Sequence, residues 1–315
     1  MGCVMVELDD HDIARFLSKL KSGTRNVYGR GLKVFQQFYE SQGSVRDFLD
    51  RVERDRLLPR HERQRVVIET LNEFVIWLQD RGYEPKTVRV YVGAVQSLAK
   101  FYEIPISLRY VRLPPSQPTH KKHPWTLAEV GKFIASMDKP IYRSIAASIL
   151  QSGLSISDLL ALTYSDIKEE FEKGVTPLCL DLTRRKTGVP FITFLGNWSV
   201  KLLKEYLANR KMEDETPVYN VSARTVHAYF RKTAKKFAGA FKGRNPCSPH
   251  SLRAAFRTFL GDHKVDPLYI EYWMGHKIPE QLRAYINKSR ESWRQTYRQQ
   301  AELHLTPPQN KNSLI

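Results

Sequence analysis

Asn245-Pro-Cys-Ser-Pro-His-Ser-Leu-Arg-Ala-Ala-Phe-Arg257, followed after a helical connection by Tyr272-Trp-Met-Gly-His-Lys-Ile-Pro-Glu-Gln-Leu-Arg-Ala-Tyr285, is the stretch on which the reading of this chain turns. It presents His250, Arg253, His276 and Tyr285, two imidazoles, a guanidinium and a phenol, at spacings of three, twenty-three and nine residues. Ser248-Pro249 is a helix N-cap followed by proline at the first helical position, which puts His250 and Arg253 in the first turns of a helix. Three residues apart, they share a face. The free N–H groups and the dipole of a helix N-terminus attract phosphate, and arginine adds a two-pronged donor to the same anion. Such a set is able to hold a phosphate and attack it. Taken singly the signals are weak: a capped helix with polar surface residues explains H-x-x-R, and a lone tyrosine on an amphipathic helix is ordinarily core.

Around this stretch the charge is lopsided. The 315 residues carry 50 Lys and Arg against 33 Asp and Glu, a net +17. Residues 1–120 hold 19 basic and 15 acidic side chains, so only +4 lies there and +13 lies in the half that carries the motif. A surface this positive points to a densely negative partner, nucleic acid first. No apolar run approaches the about 18 residues of a membrane span, so the chain reads as soluble. Cys3, Cys179 and Cys247 are isolated and form no C-x-x-C pair, which supports neither a disulfide framework nor a zinc site and fits a reducing, cytoplasmic interior. The N-terminus lacks the basic and apolar regions of a secretory signal. Gly2-Cys3 misses the myristoylation pattern, because residue 6 is Val rather than Ser or Thr.

The length suggests about two domains at roughly 100–200 residues each. Residues 10 to 104 read as helical throughout, with Val27, Tyr28, Leu32, Phe35 and Phe38 on one face, Val67, Leu71, Phe74, Val75 and Leu78 on a second. Val88, Tyr91, Val92, Val95, Leu98 and Tyr102 follow Pro85 on a third face that ends before Ile104-Pro105. The expectation is a small helical bundle over 1–108, its aromatic stripe forming core, with basic residues such as Arg25, Arg30, Lys33, Lys86, Arg89 and Lys100 either following a duplex backbone or solvating the outer faces. Residues 109–124, with four prolines and the basic set Arg109, Arg112, Lys121 and Lys122, read as an extended linker whose charge suits a strap along DNA.

A second domain is expected over 125–303. It opens on the capping-box pattern Thr126-Leu-Ala-Glu129 and continues with an apolar helix over Ile141 to Leu150. Two β-rich runs, Pro177 to Thr183 and Val189 to Leu195, flank Arg184-Arg-Lys-Thr-Gly188, whose Thr-Gly pair signals a turn, so a hairpin with three positive charges at its tip is expected. Helices resume from Ser199, and 304–315 reads as a flexible tail. The fold class is mainly α with a small β-hairpin in the second domain.

The joint order of R-K-T-G, H-S-L-R, M-G-H and Tyr nine residues on resembles the tyrosine recombinases, the phage-integrase and Xer-type enzymes, over nearly the whole chain. Thr24 to Phe35 and the helix after Pro85 resemble the family's helical core-binding domain, and Ser152-Gly-Leu-Ser-Ile-Ser-Asp158 falls in place in its α+β catalytic domain. The resemblance implies that the two domains clamp double-stranded DNA. It implies Tyr285 as nucleophile, giving a 3′-phosphotyrosine and a free 5′-hydroxyl; Arg253 on the non-bridging oxygens; His250 assisting proton transfer; His276 bracing the phosphate; and Lys186 protonating the leaving oxygen. Tyr269, Tyr272 and Tyr297 are rival nucleophiles without the G-H-plus-nine relation. Arg184, Arg185, Lys121, Lys122, Arg89 and Lys86 would contact DNA. No metal or other cofactor is required, since cations compensate the phosphate charge. Inverted half-sites, four protomers on two duplexes, a prokaryotic host and an origin in a virus, plasmid or other mobile element are further implications, and the helix-compatible run after Tyr285 would dock on a neighbouring protomer or on its own domain.

One position departs from the family pattern. Where the family places its first catalytic arginine, this chain has Ser155. Losing such an arginine costs on the order of 10³-fold in rate, judging by arginine fingers. Three readings stand at this point: an inactivating substitution introduced for structural work, a naturally silent or slow relative that binds DNA sites without cutting them, and rescue by another cation such as Arg184 or Arg185. A nicking-closing activity of the type IB topoisomerase kind shares the same phosphotyrosine chemistry.

Overall fold

The computed structural model describes residues 11–116, 123–237 and 246–308. The chain divides into two compact units, Met1–His120 and Lys121–Ile315. No helix among the described residues is long and apolar enough to cross a membrane.

Among the described residues the first unit is a bundle of five helices: α1 (His11–Ser18), α2 (Ser22–Tyr39), α3 (Val45–Leu57), α4 (Val66–Asp80) and α5 (Pro85–Phe101). Helix α3 was hidden inside the continuous helical reading. Its start is fixed by a capping box, Ser44 Oγ accepting from Asp47 N at 3.1 Å while Asp47 Oδ2 accepts from Ser44 N at 2.8 Å. The apolar faces meet around Phe35, Phe48 and Phe74, whose rings lie edge to face 5.0 and 5.1 Å from Phe35. The aromatic stripe is therefore core. Val27 departs from the expected face and is exposed, because the first turn and a half of α2 runs beyond the packed bundle.

Two of the cations read as possible backbone followers are occupied within this unit. Arg25 donates to the carbonyls of Leu17 and Leu20, both at 3.0 Å, and so caps α1. Arg89 donates to Pro114 O at 2.8 Å, and Asn72 Oδ1 accepts from Arg112 N at 2.7 Å. With Val111 buried and Leu113 packed on the bundle core, residues 109–114 adhere to the helices rather than forming a free strap. Lys121 and Lys122 lie outside the described residues.

In the second unit the expected capping box forms: Thr126 Oγ1 accepts from Glu129 N, and Glu129 Oε2 accepts from Thr126 N at 2.8 Å, starting α6 (Leu127–Ala135). Helix α7 (Pro140–Ser152) is buried at every residue from Ser144 to Ser152 and is the axis of this unit. After the short α8 (Ile156–Leu159) and α9 (Lys168–Glu172), strands β1 (Leu178–Thr183) and β2 (Pro190–Leu195) pair antiparallel with Leu178 opposite Leu195 and Thr183 opposite Pro190. This is the expected hairpin. Helices α10 (Asn197–Leu207) and α12 (Pro249–Asp262) pack on α7, with α11 (Ala223–Ala234) between them in the chain. Helix α13 (Pro267–Trp273) packs on β2, and α14 (Arg290–Gln300) closes the unit.

The end of the chain takes one of the two courses expected for the run after Tyr285 and departs from expectation in the tail. Helix α14 docks on its own unit, burying Trp293 and Tyr297 completely, with Tyr297 Oη donating to Gln151 O at 2.6 Å. Two aromatic rings three and seven residues into an otherwise polar sequence are enough to anchor it in cis. The tail expected to be loose from residue 304 stays attached as far as Pro307: Leu305 is fully buried, Pro307 is buried, and Gln151 Nε2 donates to Thr306 Oγ1 at 3.0 Å.

Candidate active site

Three chain turns converge on Arg253. Helix α12 starts as its sequence dictates, Ser248 Oγ accepting from Ser251 N at 3.1 Å with Pro249 at the first helical position. His250 is exposed on the first turn, whereas Arg253, one turn on, points inward and is only 6 % exposed. Its Nη1 donates to Gly153 O, and its Nη2 donates to Met274 O at 2.8 Å and lies 3.0 Å from His276 Nε2. Burial, and after it the charge of nearby Arg184, lowers Arg253 from 12.5 to about 10, against the opposing pull of Asp158 and Glu271. The guanidinium is thus charged at neutral pH and short of negative charge.

Two glycines aim the carbonyls. Gly153 ends α7 in the left-handed region (φ 65°), and a Cβ there would lie 2.7 Å from the Phe256 ring. Gly275 (φ 66°) turns the chain out of α13, where a Cβ would meet Phe191 at 2.9 Å. Only glycine satisfies both the backbone and the space at either turn.

His276 is oriented by a residue that the sequence reading missed. Its Nδ1 faces Glu271 Oε2 in a short hydrogen bond, which fixes Nδ1–H as donor and leaves Nε2 to accept from Arg253. Glu271 also pairs with Arg257 at 2.8 Å, and Arg257 stands one helical turn beyond Arg253. No sequence signal marks this carboxylate, since it reaches its histidine across a glycine turn, five residues away, rather than along a helix face.

Ser155 does structural work. It is the N-cap of α8, accepting from Asp158 N at 3.3 Å and donating to Asp158 Oδ2 at 2.7 Å. The other oxygen of Asp158 accepts from Arg185 N at 3.2 Å, and so ties this turn to the hairpin. Arg184 folds in from the hairpin base, Nη1 donating to Gly275 O at 3.0 Å and Nε standing 4.0 Å from Asp158 Oδ2. Arg185 and Lys186 are exposed at the tip.

Tyr285 sits on the 3-10 turn Glu280–Ile286 and is 67 % exposed. It is not bonded into the Arg253 cluster. An open cavity of about 800 Å³ runs beside it, walled by Thr187 and Gly188 of the hairpin, by Tyr272 and His276, and by Ala284 and Ile286 on either side of the tyrosine. Of the rivals, Tyr297 is fully buried and Tyr269 is engaged by Lys288 Nζ at 2.9 Å. Burial pushes the Tyr272 phenol up. The fold therefore joins Arg253, His276 and Arg184, and leaves His250, Lys186 and Tyr285 exposed.

Comparison with known proteins bears on the family and the fold. The profile of the Phage integrase family matches residues 126–292. The tyrosine recombinase XerD of Halalkalibacterium halodurans is 23 % identical over 300 residues, covering 88 % of this chain and 91 % of its own. The tyrosine recombinase XerC of Natranaerobius thermophilus is 24 % identical over 241 residues, 70 % of this chain and 78 % of its own. Among solved structures, the Tn1549 transposon integrase in complex with circular intermediate DNA superposes with a TM-score of 0.60 at 17 % identity, over 91 % of this chain and 99 % of that one. A lambda integrase dimer bound to a COC′ core site gives 0.58 at 18 % identity, over 89 % and 95 %. With the profile spanning more than half of the residues, the chain belongs to the phage integrase family, the tyrosine recombinases.

Proposed function

We propose that this protein is a site-specific DNA recombinase that cuts and rejoins double-stranded DNA through a phosphotyrosine. The observation that carries the reading is Arg253: a buried, charged guanidinium braced by two glycine-turn carbonyls and an oriented histidine, beside a cavity whose wall includes the turn bearing exposed Tyr285. Burying an arginine without a full carboxylate partner is costly unless an anion completes the site. A scissile phosphate is such an anion, and the net +17 charge attracts its polymer.

In the proposed step the Tyr285 phenol loses its proton as its Oη bonds to phosphorus. The P–O5′ bond breaks, and the 5′ oxygen takes up a proton. One phosphodiester is exchanged for another, so rejoining needs no ATP. Arg253 holds the non-bridging oxygens with the two N–H donors that its protein partners leave free. His276 positions Arg253, His250 relays the phenol proton, and exposed Lys186 at the hairpin tip supplies the proton to the 5′ oxygen. Arg185, Lys86, Lys121 and Lys122 are assigned to phosphates along the duplex, and Arg89 adds charge while holding Pro114. Inverted half-sites and four protomers on two duplexes complete the proposed assembly, in a mobile element of a prokaryotic host.

Covalent capture tests the reading. Duplexes carrying a 5′-bridging phosphorothiolate between randomised flanks are incubated with the protein, and SDS-resistant complexes are recovered, amplified and sequenced to give a preferred site. The expected product is a 3′-phosphotyrosyl adduct that disappears in Tyr285→Phe. An adduct that survives that substitution removes Tyr285 as nucleophile, and no adduct from the unaltered protein sinks the enzyme reading.

A further inference from the structure

Arg184, which the sequence offers only as a DNA contact or a substitute cation, stands close to Arg253. It is drawn in from the hairpin to a side-chain exposure of 15 %, although the neighbouring Arg185 and Lys186 point to solvent. Its Nη1 is fixed on Gly275 O, the residue next to the Met274 carbonyl that receives Arg253. Its Nε is buried and has no hydrogen-bond partner among the described residues, with the Asp158 carboxylate 4.0 Å off, beyond bonding distance. The two guanidiniums are close enough for the charge of Arg184 to depress Arg253. Like charges in a partly buried site repel, and against that repulsion stand one hydrogen bond to Gly275 O and the Asp158 charge at 4.0 Å, with Nε left over.

The charges around the pair do not balance. Asp158 spends one oxygen on Ser155 Oγ and the other on the Arg185 N–H. Glu271 is shared between His276 and Arg257. Two largely buried guanidiniums with spare donors then share the charge of Asp158, while that of Glu271 is divided with Arg257, an arrangement suited to seating an anion. Ser155, whose hydroxyl is engaged by Asp158 and Ser157, brings no charge to this spot, and Arg184 is a cation that stands there.

We propose that Arg184 is the second phosphate-binding arginine of this site, supplying from the hairpin the guanidinium that position 155 does not provide. The inference rests on the function proposed above and adds the identity of a catalytic group. It makes this copy an active relocation of the phosphate clamp rather than a silenced one, and it selects Arg184 over Arg185, whose backbone alone faces the site.

Two measurements test it, the first independent of turnover. Sulfate, titrated at constant ionic strength against chloride, is expected to raise the Tm of the full-length protein, with the shift largely lost in Arg184→Ala and in Arg253→Ala but kept in Arg185→Ala. An undiminished sulfate shift in a folded Arg184→Ala protein overturns the proposal. The second measurement uses the captured DNA site with an ordinary scissile phosphate. Arg184→Ala is expected to slow adduct formation by about 100-fold or more, the scale of losing one transition-state donor, with Arg184→Lys intermediate. Ser155→Arg is expected to return most of that rate in the Arg184→Ala background while adding little to the unaltered protein. On a charge-neutral methylphosphonate at the scissile position the Arg184→Ala defect should shrink, because there is less charge to neutralise. A defect of the same size on both linkages assigns Arg184 to scaffolding and refutes the inference. If the unaltered protein forms no adduct while sulfate protection still depends on Arg184, the anion seat stands and the recombinase reading alone fails.

Discussion

At the scale of single residues the site is a problem in holding cations still. Glu271 does so for His276 and Arg257 together, and its replacement by Gln removes the charge while keeping the shape. Glu271→Gln is expected to lower adduct formation by about ten-fold or more, in the manner of carboxylates that fix a catalytic imidazole's tautomer, with DNA affinity by gel shift unchanged; equal losses in both would make its role structural. Lys186 is expected to separate the two halves of the chemistry. General acids contribute roughly 10²–10⁴-fold, so Lys186→Ala should lose on that order with an ordinary phosphate and little with a 5′-bridging phosphorothiolate, whose thiolate leaves without a proton. Burial pushes both Cys179 and Cys247 up to about 12. Maleimide at neutral pH should therefore leave both unlabelled in the native protein and label both in denaturant, read by peptide mass.

At the scale of elements, α9 and α14 are joined by a buried ion pair. Arg294 Nη2 meets Glu170 Oε1 at 2.6 Å, Glu170 Oε2 accepts from Cys179 N at 2.7 Å, and Arg294 also donates to the Pro177 carbonyl. Burial alone would raise Glu170, but Arg294 and the Cys179 N–H outweigh it and hold the carboxyl below its ordinary value. A carboxyl lowered on folding binds fewer protons in the native state than in the unfolded one. Its stabilisation is present above the unfolded pKa and fades as pH falls through the folded one. Glu170→Gln should then cost about 3 kcal/mol at neutral pH, the scale of breaking a buried pair, and flatten the acid limb of Tm against pH; an unchanged acid limb would assign that limb to other carboxylates. The elements themselves were largely legible. The capping boxes at Thr126 and the Ser248-Pro249 start are local chemistry, and the hairpin follows from two β-rich runs and a Thr-Gly turn. What sequence could not settle was non-local: Glu271 across a turn, Arg184 folding inward, and which of its two docking courses α14 takes, because each depends on a partner scores of residues away or on the opposite side of a bend.

At the scale of the whole molecule, the second unit is built around the end of α7. Gln151 accepts from Ser199 N at 2.9 Å and from Tyr297 Oη, and donates to Thr306; Ser152 O accepts from Thr193 Oγ1 at 2.6 Å; Gly153 O accepts from Arg253. Three consecutive residues thus tie a strand, three helices, the terminal turn and the site. Deleting residues 301–315 should lower Tm and, by loosening the Gly153 carbonyl, slow adduct formation more than it weakens DNA binding; a truncated protein with unaltered Tm would show that the terminal turn carries no stability. The location of that hub bears on how copies of this gene should be judged. A stop codon a few triplets beyond Tyr285 would spare every residue of the proposed reaction centre while removing Trp293 and Tyr297 from the core. Such an allele would look intact to any search for its catalytic signature and yet be a pseudogene, so the reading frame must be followed to the codons for Thr306 and Pro307 before a copy is counted as functional.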